Sequence, residues 1–378
     1  MGGLGHHSKP MSDIVTDFGG LLRQAHVARS LGSPFVAAVL EAANRQLWPA
    51  SQTAQLIAGW DGDPSKAALA MRLNAALHAL ARRGKWPALA DLYRCQDGDF
   101  DAVIGHVMRA EDAFIAEWME HTPQTNEVGR AVAILAALMV LQQEAPMPVE
   151  LLELGSSSGL NLNLAHYSYD LGGVVAGDPQ SLVHVAPQWF GSPPILAPVT
   201  VVRARGVDLK PLDPGNASTR ERLLSFVWAD DPARGARLEQ ALAFAQRHSP
   251  RVDRANAAIW LAERLAEPQQ AGVCRVVFHS MVLQYLDAAD CSAARASIAR
   301  AAAEASNERP LAWISFEWLA DRSEVQLHLT SWPGGETLHL ATCHPYGQWI
   351  DWRHEMNELN KEGSHKILRE ILTTKVAA

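Results

Sequence analysis

Glu153-Leu-Gly155-Ser156-Ser157-Ser158-Gly159 is the stretch of this chain best equipped for chemistry. An acid followed by two nearby glycines lets the backbone turn sharply and lets a ligand approach the main chain with no Cβ in the way. The same residues satisfy G-x-S-x-G. That makes Ser157 a candidate nucleophile on a strand-to-helix elbow, with Asp287 and either His339 or His344 to complete a triad. Two features weigh against a serine hydrolase: a hydrolase elbow follows several strands, whereas helices precede the one strand that leads into Gly155, and Glu153 has no task in that mechanism. His279 and Ser280 end a later strand candidate, where a parallel sheet meets its ligand. They are read as catalytic, with general base and substrate hydrogen bonding as open roles. His339, Cys343 and His344 are close in sequence, but an extended strand turns His344 away from the other two. No metal is expected.

These residues need elements to hold them. Val149–Leu154 is a short apolar strand candidate running straight into the glycine loop, and an apolar stretch resumes at Leu160. Further strands are expected at Val199–Arg205, Val273–His279, Leu311–Trp318, Val325–Trp332 and Thr337–Cys343. Helical patterns at Ser218–Trp228, Arg234–His248, Ala257–Leu265 and Ser292–Ser306 separate several of them. Alternation of this kind implies right-handed crossovers and a largely parallel sheet. Only Pro333-Gly-Gly-Glu336 joins the last two strands, so the sheet should finish in an antiparallel hairpin. Upstream, Ser33-Pro34 and Asp63-Pro64 pair a cap residue with a first-turn proline, and Gly84 is a stop signal. Longer helices are expected near Asp99–His121 and Thr125–Glu144. The expected division is an all-α domain over 12–145, an α/β domain over 149–355, and a charged helical tail over 356–378.

The E-x-G-x-x-x-G pattern of Glu153–Gly159 resembles the cofactor loop of Rossmann-like S-adenosylmethionine-dependent methyltransferases. In that family the acid orders the loop or reaches the cofactor's amino group, and the glycines face its amino acid and ribose. The resemblance therefore implies S-adenosylmethionine as cofactor, held by Glu153, Gly155, Ser156, Ser157, Gly159 and Asn161. It also implies an acid after the second strand that takes both ribose hydroxyls, as nucleotide-binding folds generally do. Asp208 stands there, delayed by an insertion over Gly172–Pro198. A terminal hairpin and a helical cap or substrate domain suit the same fold. From about Arg29 to Trp352 the chain resembles the bacterial DUF2332 family. The phrases that carry this are Gln124-Thr-Asn-Glu-Val-Gly-Arg130, Leu152-Glu-Leu-Gly-Ser-Ser-Ser-Gly-Leu-Asn-Leu162, Gly177-Asp-Pro-Gln-Ser181, Gly206-Val-Asp-Leu-Lys-Pro-Leu-Asp213, Val277-Phe-His-Ser280 and His344-Pro-Tyr-Gly-Gln-Trp349. The family implies a methyltransferase-like fold and assigns no reaction. Where its pattern has Gly-Asp-Ala after the third strand, this chain has Ala255-Asn256-Ala257. Asn256 still offers a carbonyl oxygen to an adenine amino group, without charge.

Plainer roles stand beside these. In these Glu153 serves backbone N–H groups in the turn, and Asp208 caps a short turn before Pro211. Asn126, Glu127 and Arg130 begin a helix, where Glu127 suits the dipole. They also make a wall of the site if Arg130 takes a carboxylate by a bidentate pair. Trp313, Trp318, Trp349 and Trp352 read as packing and edge residues.

Composition bounds the rest. The chain has 378 residues, a formal net charge of −8, 48% hydrophobic and 20% charged residues, which excludes a disordered protein. The acidic balance argues against general nucleic-acid binding, which needs clustered Lys and Arg. The longest apolar run, Ala131–Leu141, falls well short of the ~20 residues that span a bilayer. Four scattered cysteines and an N-terminus without a signal-peptide core point to the cytoplasm. The expectation is a methyltransferase acting on a small molecule. The alternatives are a non-catalytic ligand-binding protein on the same fold and, behind it, the Ser157 hydrolase.

Overall fold

The computed structural model describes residues 16–124 and 126–354; the tail expected over 356–378 lies outside them. Two compact units divide the chain. One runs to Pro123 and takes in Leu224–Pro232, and the other holds Gln124–Leu223 and everything from Ala233.

The first unit is helical: α1 (Leu21–Ser30), α2 (Pro34–Gln46), α3 (Gln52–Ala58), α4 (Leu69–Arg83), α5 (Pro87–Cys95), α6 (Phe100–Ala110) and α7 (Asp112–Met119). Pro34 and Pro87 open their helices, and Gly84 ends α4 at a left-handed φ of 67°. The single helix expected over Asp99–His121 is broken at Glu111. There the chain turns so that the Asp112 carboxylate accepts the Gln52 and Thr53 N–H groups at 2.7 and 3.1 Å, capping α3. Leu40, Leu73, Leu77, Leu89 and Ile104 form the core, joined by Phe226 and Trp228 from the returning segment.

The second unit opens with α8 (Ala131–Glu144), buried on every side over Ala131–Leu141, as an all-apolar helix must be. Because α8 belongs here, the helical unit ends at Pro123 rather than near residue 145. The strands are β1 (Val149–Leu154), β2 (Ser168–Asp170), β3 (Val175–Gly177), β4 (His184–Val185), β5 (Gln188–Phe190), β6 (Val201–Asp208), β7 (Val252–Arg254), β8 (Cys274–Ser280), β9 (Leu311–Trp318), β10 (Val325–Trp332), β11 (Thr337–Cys343) and β12 (Trp349–Trp352). Among them run α9 (Ala217–Ser225), α10 (Pro232–Arg247), α11 (Ala257–Ala266) and α12 (Ala288–Ala303). One nine-stranded sheet has the order β5-β12-β11-β10-β9-β8-β1-β6-β7, and β2, β3 and β4 form a small second sheet.

The strands β7, β6, β1, β8 and β9 are mutually parallel. Beyond β9 the chain runs antiparallel through β10, β11 and β12. The expected terminal hairpin is thus the middle of a longer antiparallel run. The links 319–324 and 333–336 are both too short for a crossover, which needs a dozen or more residues. The outer edge is β5, drawn from the insertion after β1 and parallel to β12. Leu160–His166 also departs from expectation, forming a 3-10 segment and not an α-helix. Its Leu-Asn-Leu-Asn-Leu start alternates with period two and lacks the 3.6-residue period of an α-helix, and all five residues are buried.

Candidate functional site

Strand order reverses direction at β1: β6 and β7 lie on one side of it, β8 and β9 on the other. The crevice at such a switch point, outside the carboxyl ends of the strands, is where open α/β sheets bind ligands. The glycine loop leaves β1 at this point. Gly155 and Gly159 both have positive φ, 66° and 74°. Their missing Cβ atoms make room for protein, since one at Gly155 would lie 2.5 Å from Val282 and one at Gly159 2.7 Å from Val252. The glycines are therefore required by the turn and its packing. A valine at 155 would test the fold before it tested a ligand.

The loop's amides are largely engaged within the protein. Ser156 N–H donates to the Val207 carbonyl, Gly159 N–H to the Ser156 carbonyl, and Leu160 N–H to Asn126 Oδ1. Ser157, at a φ of 53°, donates its N–H to Asp208 Oδ2 at 2.8 Å, and its hydroxyl to Gln124 Oε1 at 3.4 Å. The other Asp208 oxygen accepts Lys210 N–H at 2.8 Å. Asp208 thus stands beside the loop, at the end of the strand adjacent to β1, half-buried and with acceptor capacity remaining on each oxygen.

Glu153 is different. It is buried at the end of β1, and among the described residues its Oε2 has no hydrogen-bond partner. Asn161 is also buried, donates to the Glu127 carbonyl at 3.4 Å, and leaves Oδ1 without a partner among the described residues. Burial pushes the Glu153 carboxyl up to about 8; Ser156, Asn161 and Arg130 oppose the shift and Asp208 adds to it. Ser280 shares Glu153's face of the sheet, because its neighbour Phe278 aligns with Glu153 and faces alternate along a strand. The 126–130 segment packs onto that region. Asn126 Oδ1 accepts the Ser158 hydroxyl at 2.8 Å. Arg130 donates from Nε to the Pro345 carbonyl at 2.8 Å and from Nη1 to the Ser280 carbonyl at 3.2 Å. The bidentate fork assigned to Arg130 is thus already divided between two backbone carbonyls. Glu127 accepts Gly129 N–H at 2.9 Å and pairs with Arg234. Burial alone would raise its pKa, but Arg234, Arg237 and Arg130 outweigh burial and hold it below the ordinary value.

His279 does not join this group. It aligns with Leu154, so it faces the opposite side of the sheet from Glu153. Trp313 Nε1–H donates to its Nε2 at 2.9 Å, which places the ring proton on Nδ1, where it is donated to Glu317 Oε1 at 2.7 Å. Both ring nitrogens are engaged and the residue is 1% exposed, so in this arrangement His279 is a structural strut and not a base open to substrate. His279→Ala is expected to cost about 1–3 kcal/mol, because it strands the Trp313 Nε1–H donor, while Glu317 Oε1 keeps the Val282 and Leu283 N–H groups. Urea unfolding measures this, and a loss below 1 kcal/mol would mean the strut carries little.

Asn256 caps α11. Its Oδ1 accepts Ala258 and Ile259 N–H groups and its Nδ2 donates to Asp290. The oxygen assigned to adenine is therefore already taken by two backbone donors. The hydrolase constellation is dispersed: Asp287 caps α12, and His339, on β11, lies four strands from β1, roughly 19 Å by sheet spacing. Sequence reasoning missed Leu209, Ile259 and Tyr285, which are large, exposed, and follow the carboxyl ends of β6, β7 and β8. Their positions just after strand ends were the available signal.

The fold and this edge define a mixed α/β protein with a helical N-terminal region, its loops gathered at a switch point. The chain belongs to the family described as uncharacterized proteins conserved in bacteria, DUF2332, whose profile matches residues 20–352. No curated protein and no solved structure matches it. Among the described residues no helix is long and apolar enough to cross a membrane.

Proposed function

We propose that this protein binds an S-adenosylmethionine-type cofactor at the carboxyl edge of a Rossmann-like sheet and acts as a methyltransferase on a small molecule. The observation that carries this is Asp208, whose carboxylate lies against the glycine loop of the adjacent parallel strand, where a ribose diol is received in nucleotide-binding folds. Two buried acceptors without donors, Glu153 Oε2 and Asn161 Oδ1, suit the cofactor's ammonium group. Exposed Leu209 and Ile259 offer apolar surface near Asp208. At the adenine end Asn256 offers less, since its oxygen caps α11. When bound, the cofactor supplies an electrophilic methyl group for direct displacement, and this chain's residues bind and orient it. Calorimetry with S-adenosylhomocysteine tests the reading, and no heat of binding at millimolar ligand would end it.

Glu153 adds a sharper expectation. Its folded pKa, about 8, lies above the ordinary 4.5, so the folded state holds the extra proton between those values. Stability therefore falls as pH rises through that window, and Glu153→Gln should flatten the slope. An ammonium group beside Glu153 favours the carboxylate, so binding near pH 7 should release a proton. Calorimetry in buffers of different ionisation heat reads that release, which Glu153→Gln should abolish.

A second reading is a ligand-binding protein without turnover. It is favoured by the engagement of both His279 nitrogens. Binding of S-adenosylhomocysteine without methyl transfer to any of a panel of acceptors would support it.

A further inference from the structure

Beside the glycine loop, α10 brings a second group of charges to the 126–130 segment. Arg234 pairs with Glu127 Oε2, and its guanidinium lies 4.0 Å from the centre of the Tyr346 ring. Glu127's other oxygen accepts Gly129 N–H, and Arg237 Nη2 is 3.9 Å from that same oxygen, too far for a hydrogen bond. Arg237 Nε is buried and has no partner among the described residues. Arg130, nearly fully buried, is held by the Pro345 and Ser280 carbonyls, neither of which carries charge. One carboxylate, already engaged, thus faces several guanidinium groups. A buried donor left unpaired is costly, and a buried guanidinium more so.

We propose that Arg237 forms a subsite for an oxyanion, the carboxylate or phosphate group of a second ligand. Arg237 supplies the Nε–H and a flanking Nη–H, a planar fork that fits two oxygens of either group. Arg130 and Arg237 both act on Glu127, so Arg130 adds positive charge to the same cluster. Through its bond to Ser280, Arg130 ties the subsite to the end of β8, next to β1 and the loop. An anion held there lies at the same sheet edge as the cofactor reading places its ligand. The subsite itself does not depend on that reading, and its test uses no cofactor.

The test is thermal unfolding of the full chain in inorganic phosphate or in acetate, each against chloride at matched ionic strength. The wild-type protein should be stabilised in a saturable way by at least one of the two, and which one names the group. Arg237→Gln should weaken that saturable effect at least about tenfold, as loss of a charge-assisted fork implies. If the glutamine variant does not fold by circular dichroism, Arg237→Lys serves instead. It keeps the charge, loses the fork, and should also weaken binding. Equal stabilisation of wild type and variant would place the anion elsewhere and overturn the proposal. So would the absence of any saturable effect on the wild type. S-adenosylhomocysteine binding is scored separately, so its failure leaves this result readable.

Discussion

Arg275→Met is expected to lower the unfolding free energy by about 3–5 kcal/mol, the usual cost of stranding one partner of a buried ion pair. Arg275 opens β8 on the amino edge of the sheet, opposite the site. Its Nε donates to Glu150 Oε2 at 3.0 Å, and both residues are buried. The rest of the guanidinium gathers carbonyls at the end of α11: Arg264, Leu265, Glu267 and Pro268. A cation there also meets the negative end of the helix. Methionine fills similar space but removes every donor from this group, so the Arg264 carbonyl keeps only Glu267 N–H and Glu150 keeps only Arg203, whose side chain is mostly exposed. Total stabilities run at about 5–15 kcal/mol, so the loss is a large share. Adding Glu150→Met should recover much of it, since an apolar pair of matched volume often replaces a buried ion pair at little cost. Urea titration decides both. A single-variant loss under 1 kcal/mol would show that the pair contributes little.

Asp208→Ala should weaken S-adenosylhomocysteine binding by about 10- to 100-fold, because charge-assisted bonds to both ribose hydroxyls are worth roughly 1.5–3 kcal/mol. Asp208→Asn, although nearly isosteric, should not be milder. Both carboxylate oxygens accept backbone N–H groups, from Ser157 and from Lys210. In Asp208→Asn one of them becomes an amide nitrogen facing a donor, so asparagine should lose nearly as much as alanine. Binding unchanged in both variants would remove the ribose role and leave Asp208 as a clasp on the loop.

Much of the α/β frame was legible because its signals are local. β1, β9, β10 and β11 coincide with apolar runs bounded by turn residues, and Ala131–Leu141 could only be a buried helix. What escaped depends on partners distant in sequence. β7, only Val252–Arg254, is a strand because β6 accepts it. The break at Glu111 exists because Asp112 caps α3, and neither helix pattern shows it. At the site, Glu153, Asp208 and the loop were legible from their order along the chain. The engagement of His279 was not. Trp313 and Glu317 lie on the neighbouring strand β9, and only the register between β8 and β9 brings them to the imidazole. Asn256 read as a ligand group because a cap and a ligand use the same oxygen.

The close approach of Gly129 and Gly347 sets the order in which this edge can mature. A Cβ at 347 would lie 2.4 Å from the Gly129 carbonyl oxygen, and Arg130 reaches Pro345 from 215 residues away. Such distant closures come late, because a long chain must lose its freedom before the contact repays it. On the ribosome the 126–130 segment therefore emerges long before the turn that anchors it. A nascent or truncated chain ending before residue 344 would carry every strand from β1 to β11, yet Arg130 and Gly129 would lack their anchor. Such a product would look folded by circular dichroism while this edge stayed open to proteases, and limited digestion near residue 130 would distinguish it from the full chain.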